Sequence, residues 1–383
     1  MPTPLTGDIR YQILIDEVVD DQLTSELAEI EVNEAVRGET TFRIRFAIDI
    51  CSTDMELLND DRLVPGTDRK VSVLVSLGNV TTCLVHGFIT DRKAELKEGG
   101  PGSSVEIAGK DRRVEMSRNA DQRGPRSGTV GLIVASILAQ YHFIPDVELG
   151  DTSLYSEETK TLNQQGSDLE LVTKLAGEHG YEFWIDATVT PGLGGHVGLI
   201  ETAHFKSSPP RGQGLPISAP VPLLALPDTP VLKMNTGDGS STLLTFTSNR
   251  ATEVPTSSGQ VTRVNTDTAD VERTNVSSPS LPPLGSRPPL PDHRRPIVTA
   301  GNAQDAQKRQ DAALIDASWV VKATAETTVH ALGALLRPHD IVQVRGTGRV
   351  DDGDYFVWSV SHHIDPADHK MRCELRRNAV GVS

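Results

Sequence analysis

Between Ser167 and Asp186 the sequence writes out a helix start, a helix stop and a strand in immediate succession. Ser167, with Glu170 three residues on, is a capping box: each side chain accepts from the other residue's backbone N–H, and two orphan donors are satisfied. Leu169, Val172, Leu175 and Ala176 then recur at helical spacing and form one apolar face. Gly180 stops the helix, as a residue free to take positive φ does at a C-terminal cap. Directly after it Tyr181, Phe183 and Ile185 alternate with Glu182, Trp184 and Asp186, which is the period of a strand. The wider stretch from Gly109 to Glu201 therefore reads as a small α+β module that must dock on something. Nothing in it looks catalytic.

What flanks the module is β. Over residues 8–115, Tyr11, Ile13 and Ile15, then Ile30 and Val32, then Phe42, Ile44, Phe46 and Ile48 alternate with polar neighbours. Val71, Val73 and Val75 form the next strand, followed by Cys83 to Thr90 and by Val105 to Ala108. Six short strands with one apolar face predict a barrel or small sandwich. Residues 116–130 are polar and read as a linker. Thr129 is placed to cap a helix through Ile133, Val134, Ile137, Leu138 and Tyr141, and Pro145 to Lys160 reads as a loop. Gly192 to Gly198 lacks the Lys-Ser/Thr of a phosphate loop, so it reads as a hairpin tip.

Prolines crowd Ser207 to Pro230, an extended connector. Strand candidates follow at Val231–Met234 and Thr242–Thr247. Thr252 to Arg295 is Ser/Thr/Pro-rich and reads as a surface-hugging or mobile excursion. Asn302 to Ala317 is a polar, Ala-rich helix, after which strands resume from Trp319, Asp340, Asp354 and Lys370.

The two β regions echo one another. Pro65 precedes Val71 and Val73, with Ile89 further on; Pro338 precedes Val342 and Val344, with Val360 at the same spacing. One region ends in Lys110-Asp-Arg-Arg and the other in Arg376-Arg-Asn.

Several function classes are disfavoured by composition. Among 383 residues, 52 acidic against 37 basic give a net charge of −15, which opposes stable binding to nucleic acid or anionic lipid. No window approaches the ~18 apolar residues of a membrane span, and the N-terminus lacks a secretory pattern. Cys51, Cys83 and Cys373 are sparse and lack CxxC spacing, so reduced buried thiols and cytoplasmic synthesis are expected.

Candidate reactive clusters resolve into structural readings. His362, His363 and His369 suggest metal, yet adjacent histidines on a strand point to opposite faces and no further ligand completes a site. His362 or His363 reads instead as a polar strand-end residue. Asp60-Asp61, Asp351-Asp352 and Glu157-Glu158 lie in polar, turn-like surroundings rather than the apolar cleft an acid catalyst needs, and read as solvated. Ser136 and Ser167 lack a Gly-x-Ser-x-Gly context. No catalytic residue, cofactor or metal ligand is assigned, and the chain reads as a non-enzyme.

At Gly109-Lys-Asp-Arg-Arg, at Gln165 to Gly180, and at the ending Leu336 to Gly348 with Gly353 to Ile364, the chain resembles the phage late control protein D family. These are tail hub proteins related to the N-terminal part of the VgrG spikes of type VI secretion. The resemblance implies a mainly β fold with an α+β insertion, two tube-like β-barrels per chain, and a homotrimer whose six barrels form a pseudo-sixfold ring. The domain division it implies is 1–115 for the first barrel and 116–205 for the α+β module. Residues 206–300 would be a connector carrying strands 229–248 of the second barrel, and 301–383 would complete that barrel.

Gly109, Asp111, Ser167, Asp168, Gly180, Gly346, Gly353 and His362 are the structural signature positions it implies. Its implied partners are a tail tube or tube-initiator protein, a spike supplied as a separate polypeptide since this chain stops at Ser383, and other baseplate proteins. The location implied is a phage tail or injection-particle baseplate. One face of each barrel would line a lumen, and the acidic balance would suit passage of DNA or cargo. The excursion at Thr252 to Arg295 is longer than the family suggests. A cell-wall hydrolase with β substrate-binding domains is the alternative, and would show a deep pocket with two carboxylates. A monomeric carbohydrate binder would need aromatic platforms, for which 3 Trp and 5 Tyr leave little.

Overall fold

The computed structural model describes residues 9–48, 56–98, 102–118, 125–150, 154–156, 162–192, 196–207, 229–235, 237, 239–250, 258–264, 270–277, 284, 295–297 and 303–379. Cys51, Glu157-Glu158, most of the proline-rich connector and much of Thr252 to Arg295 lie outside these residues.

The first unit comprises β1 (Ile9–Ile15), β2 (Val18–Val19), a short helix α1 (Asp21–Ser25), β3 (Leu27–Ala35), β4 (Thr41–Ile48), β5 (Lys70–Leu77), β6 (Val80–Glu95) and β7 (Ser103–Asp111). In β4 and β7 every second side chain is buried, so alternation in the sequence becomes alternation between core and water. Ile30, Val32, Ile44, Phe46, Val71, Val73, Val105 and Ile107 meet in one core. Their removal from water, at about 25 cal/mol per Å² of apolar surface, is the main force holding the unit together.

The module follows: α2 (Arg113–Arg118), β8 (Gly128–Thr129), α3 (Val130–Gln140), β9 (Ile144–Val147), β10 (Leu154–Tyr155), α4 (Asp168–His179), β11 (Tyr181–Pro191) and β12 (Val197–Ser207). Part of the expected linker at 116–130 is thus structured, because α2 seats Met116 in the module core and β8 pairs with β10. Part of the expected loop at Pro145 to Lys160 is structured too, since β9 joins β12 in parallel. Thr129 holds the N-cap position of α3 without a side-chain capping bond.

The capped helix is present as read. Ser167 and Glu170 exchange both capping-box bonds, and Gly180 takes φ 74 at the C-cap. Ser167→Ala removes the acceptor for the Glu170 N–H and should cost about 1 kcal/mol, read as a lower urea midpoint at unchanged slope.

The second unit contains β13 (Val231–Lys233), β14 (Leu243–Arg250), a three-stranded excursion of β15 (Ser258–Val264), β16 (Val271–Ser277) and β17 (Arg295–Ile297), and helix α5 (Ala303–Ala317). It closes with β18 (Val321–Thr328), α6 (Val329–Leu332), β19 (Ile341–Arg345), β20 (Gly353–Ile364) and β21 (His369–Arg377). The Ser/Thr/Pro-rich segment therefore carries paired strands, where composition suggests only a surface excursion. Its Thr and Val residues supply the β preference that the low apolar content obscures.

Hydrogen bonding joins the two units into a single 13-stranded sheet through the antiparallel pair β3–β20. The order across the first unit is β3-β4-β7-β6-β5-β1, and across the second β14-β18-β21-β20-β19-β13. Strand for strand, this is the same arrangement. The one change of sense is at the end, where β1 runs antiparallel to β5 and β13 parallel to β19.

Candidate assembly interface

The repeat extends to its irregularities. A bulge interrupts β3–β4 between Leu27 and Glu29, and another interrupts β14–β18 between Leu243 and Thr245. A second pair interrupts β6–β7 between Ile89 and Asp91 and β20–β21 between Val357 and Ser359. Aligning bulge with bulge sets Asn33 with Asn249, Val71 with Val342, and Ile89 with Val357. The equal spacing in the sequence, which would match Ile89 with Val360, is displaced because the hairpin before β20 differs in length. Since a bulge fixes register and adds twist, shared bulges make the two units curve alike.

Both units present one polar face. In β3, β4, β7, β18, β20 and β21 most inward residues are apolar, with Glu34, Asp111, His362, His369 and Arg377 among the exceptions, and the outward ones include Glu29, Glu31, Arg43, Arg45, Glu106, Lys110, Thr324, Ser361, Arg372 and Glu374. These side chains pair across strands, as in Arg45 with Glu29 at 2.5 Å and Arg43 with both Glu31 and Glu106. The face is thus a mosaic of nearly cancelling charge. At the β3–β20 seam the face hollows into a groove of about 560 Å³ lined by Asn33, Glu39, Thr247, Lys322, Ser361 and Arg372, among others.

Beneath the seam lies a buried polar junction. Glu34, on β3, is 4% exposed and accepts from Arg337 at 2.5 Å and bonds His362 at 3.2 Å. Arg337 also faces Asp186 of β11 at 3.5 Å, so one guanidinium ties together both β units and the module. Burial opposes ionisation of Glu34, but Arg337 and His362 outweigh it and hold the carboxyl below its ordinary range. Asp186 likewise sits low against burial, with His204, Arg337 and the Trp184 indole N–H as its partners. His339, at φ 75, stacks on Trp184 with ring centroids 3.8 Å apart, and burial lowers it to about 4. Burial lowers His369 to about 3; its Nε2 lies 3.0 Å from His362 Nδ1.

The signature residues do not converge on one site. Gly109 lies where an added Cβ would come within 2.1 Å of the Phe88 carbonyl oxygen. Asp111 accepts from Thr40 N at 2.7 Å and forks with Arg113, whose guanidinium reaches the Phe183 carbonyl and so fastens the module to β7. Asp168 is fully buried under Tyr141, Gln164 and Arg126. Gly180 approaches Ala312 of α5, and Gly346 and Gly353 have φ of 83 and 138 against Met234 and Arg377. Both histidines lie within the last three residues of β20, where His362 is fully buried and His363 points outward.

Among the described residues, Asp60-Asp61 and Asp351-Asp352 stand in turn-like segments, where one carboxylate of each pair is hydrogen-bonded. Asp60 accepts from Arg62, and Asp352 from Thr347 and Gly348. The Ser72–His86 contact of 2.7 Å is sealed beneath the module, with Ser72 fully buried. Cys83 and Cys373 are free and buried. Among the described residues no group of three or more potential ligands is placed to hold a metal, and no helix is long and apolar enough to cross a membrane.

No family model and no curated protein matches the sequence. Solved structures do. A tail protein from Neisseria meningitidis aligns at TM-score 0.61 and 12% identity over 97% of this chain and 98% of that one. The 43 kDa tail protein of prophage MuSo2 from Shewanella oneidensis aligns at 0.57 and 13%, over 96% and 98%. A component of the Escherichia coli type VI secretion system, itself similar to T4 bacteriophage tail proteins, aligns at 0.53 and 13%, over 97% and 76%. At these identities the likeness is one of fold, a mainly β fold with a few helices shared with phage tail and type VI secretion proteins, consistent with the resemblance to the tail hub family.

Proposed function

We propose that this protein is a structural hub of a phage tail or phage-like contractile injection machine, a homotrimer that adapts a sixfold tail tube to a threefold spike. The observation that carries the proposal is the repeated strand order, bulges included, within one continuous sheet. Because β3 joins β20 with both units in the same up-down sense, the contact is heterologous: one unit's edge meets a different strand of the next. Heterologous contacts generate rings when the rotation closes. Three chains, two units each, supply six similar wedges.

In that ring the polar mosaic faces the channel. Paired charges and short hydroxyls offer a sliding polymer neither a strong electrostatic hold nor an apolar one. The module, fastened by Arg113 and Arg337, buttresses the ring from its outer side. The reaction-free chemistry of the interior fits a part that assembles and transmits rather than one that catalyses.

Light scattering tests the proposal. The expected mass is three times the 41.3 kDa chain, alone or with a candidate spike. A monomer under both conditions overturns it.

A further inference from the structure

Over one short stretch β20 is apolar on both sides of the sheet. Tyr355 and Val357 enter the core of the second unit, while Phe356 and Trp358 project from the opposite face, where Trp319 and Val36 join them. The three rings form a cage, with Trp319 stacked on Phe356 at 5.3 Å and Trp358 edge-on to both at 6.2 Å. Two of the chain's 3 tryptophans stand here. A single side chain of the excursion packs into the cage, that of Leu284, which is 0% exposed. Its backbone is captured as well: the Leu284 N–H donates to Asn378 Oδ1 at 2.8 Å, and the Leu284 carbonyl accepts from Arg377 Nε at 2.7 Å.

Both backbone groups of one residue thus go to side chains, as when a peptide ligand is read, and not to a neighbouring strand. The Arg377 guanidinium is fully buried and is itself held by the Asp352 carbonyl at 3.1 Å; Asn378 is buried too. In the sequence Leu284 follows Pro282-Pro283, and Pro-Pro-Leu recurs at Pro288 to Leu290. Proline has no N–H to satisfy and little conformational freedom to lose, which is why aromatic-lined grooves take proline-rich segments. We infer that the cage of Trp319, Phe356 and Trp358, with Arg377 and Asn378 as its backbone readers, is a binding socket for Pro-Pro-Leu peptides, and that the chain's own Leu284 is the ligand it holds. This goes beyond the hub reading and does not depend on it.

The excursion is then held at this point as a tethered ligand and not as part of the core. Tethering raises the effective concentration of a ligand, to about millimolar for short flexible linkers. A Pro-Pro-Leu segment supplied by another chain therefore meets a competitor already in place.

Tryptophan emission reads the socket directly, against the background of Trp184 in the module. In the full-length chain, Leu284→Asp should shift the emission to longer wavelength and leave the strand circular dichroism as it was. Loss of that circular dichroism overturns the proposal, because it makes Leu284 a residue of the core. With Leu290→Asp added, so that neither Pro-Pro-Leu can fill the socket in cis, a synthetic peptide of residues 280–287 should bind saturably and return the emission toward shorter wavelength. The same peptide carrying Leu284→Asp should bind about tenfold more weakly or worse, since the buried leucine is its anchor. The unaltered peptide should likewise bind the wild-type chain about tenfold more weakly, because the tethered ligand competes. Absence of saturable binding, or equal binding of the two peptides, overturns the socket. Mass by light scattering plays no part in this readout, so the hub reading stands or falls separately.

Discussion

Replacing Arg337 with methionine should cost this protein about 3–5 kcal/mol, because it leaves two carboxylates, Glu34 and Asp186, beside one another without their shared cation. With 23% of the Arg337 side chain exposed, the lower end is expected. Glu34→Leu combined with Arg337→Met should be less damaging than Arg337→Met alone, since an unpaired buried charge costs more than an apolar replacement of the pair. The pH dependence carries its own sign. Glu34 is held below its ordinary 4.5, so its contribution is complete above that pH and is lost as pH falls through the lower folded value. In the Arg337→Met variant the carboxyl prefers its proton, so the gap between the two proteins should narrow below pH 4.5. Urea titrations at pH 7 and pH 4 measure this; a gap that widens on acidification refutes the assignment.

Asp168→Ala should cost a comparable amount, about 3–5 kcal/mol, but concentrated in the module. Its carboxylate accepts from the Tyr141 hydroxyl at 2.7 Å, Gln164 Nε2 at 2.8 Å and Arg126 Nη2 at 3.0 Å. It also stands in the first turn of α4, where the unsatisfied N–H groups favour negative charge. Truncation leaves Arg126, only 14% exposed, without its counter-ion. Hydrogen exchange should quicken through α3 and α4 and remain slow in β4 and β7. Uniform acceleration across the sheet would contradict a module with its own core.

What the sequence made legible was local. Ser167, Glu170 and Gly180 specify a helix through interactions within a few residues, and the alternation of β4, β7 and β21 is visible because one face is dry. What it hid was long-range. The β3–β20 pair joins positions more than three hundred residues apart, and no local pattern records it. The polar junction nonetheless left a trace. Glu34 falls in phase with Ile30 and Val32, and His362 in phase with Val360 and Ile364, so each is a polar group where alternation demands burial. Two such violations on separate strands are the mark of partners. The helix α2 was obscured by its Arg and Ser content, which reads as linker until Asp111 and Glu115 are seen to pair with Arg113 and Arg112.

The connection from β3 to β4 is a tight turn across 36–40, whereas the equivalent connection from β14 to β18 departs at 251 and returns at 320, bringing α5 against α4 through Arg309 and Glu178. In a closed ring of alternating units, this bulk would stand at every second position on the same end. A partner gripping only the sheet would then find six equivalent rotational settings, while one that touches the excursion would find three. The inserted segment would act as a phase key, the physical means by which a ring of six near-identical wedges tells a threefold partner where to sit.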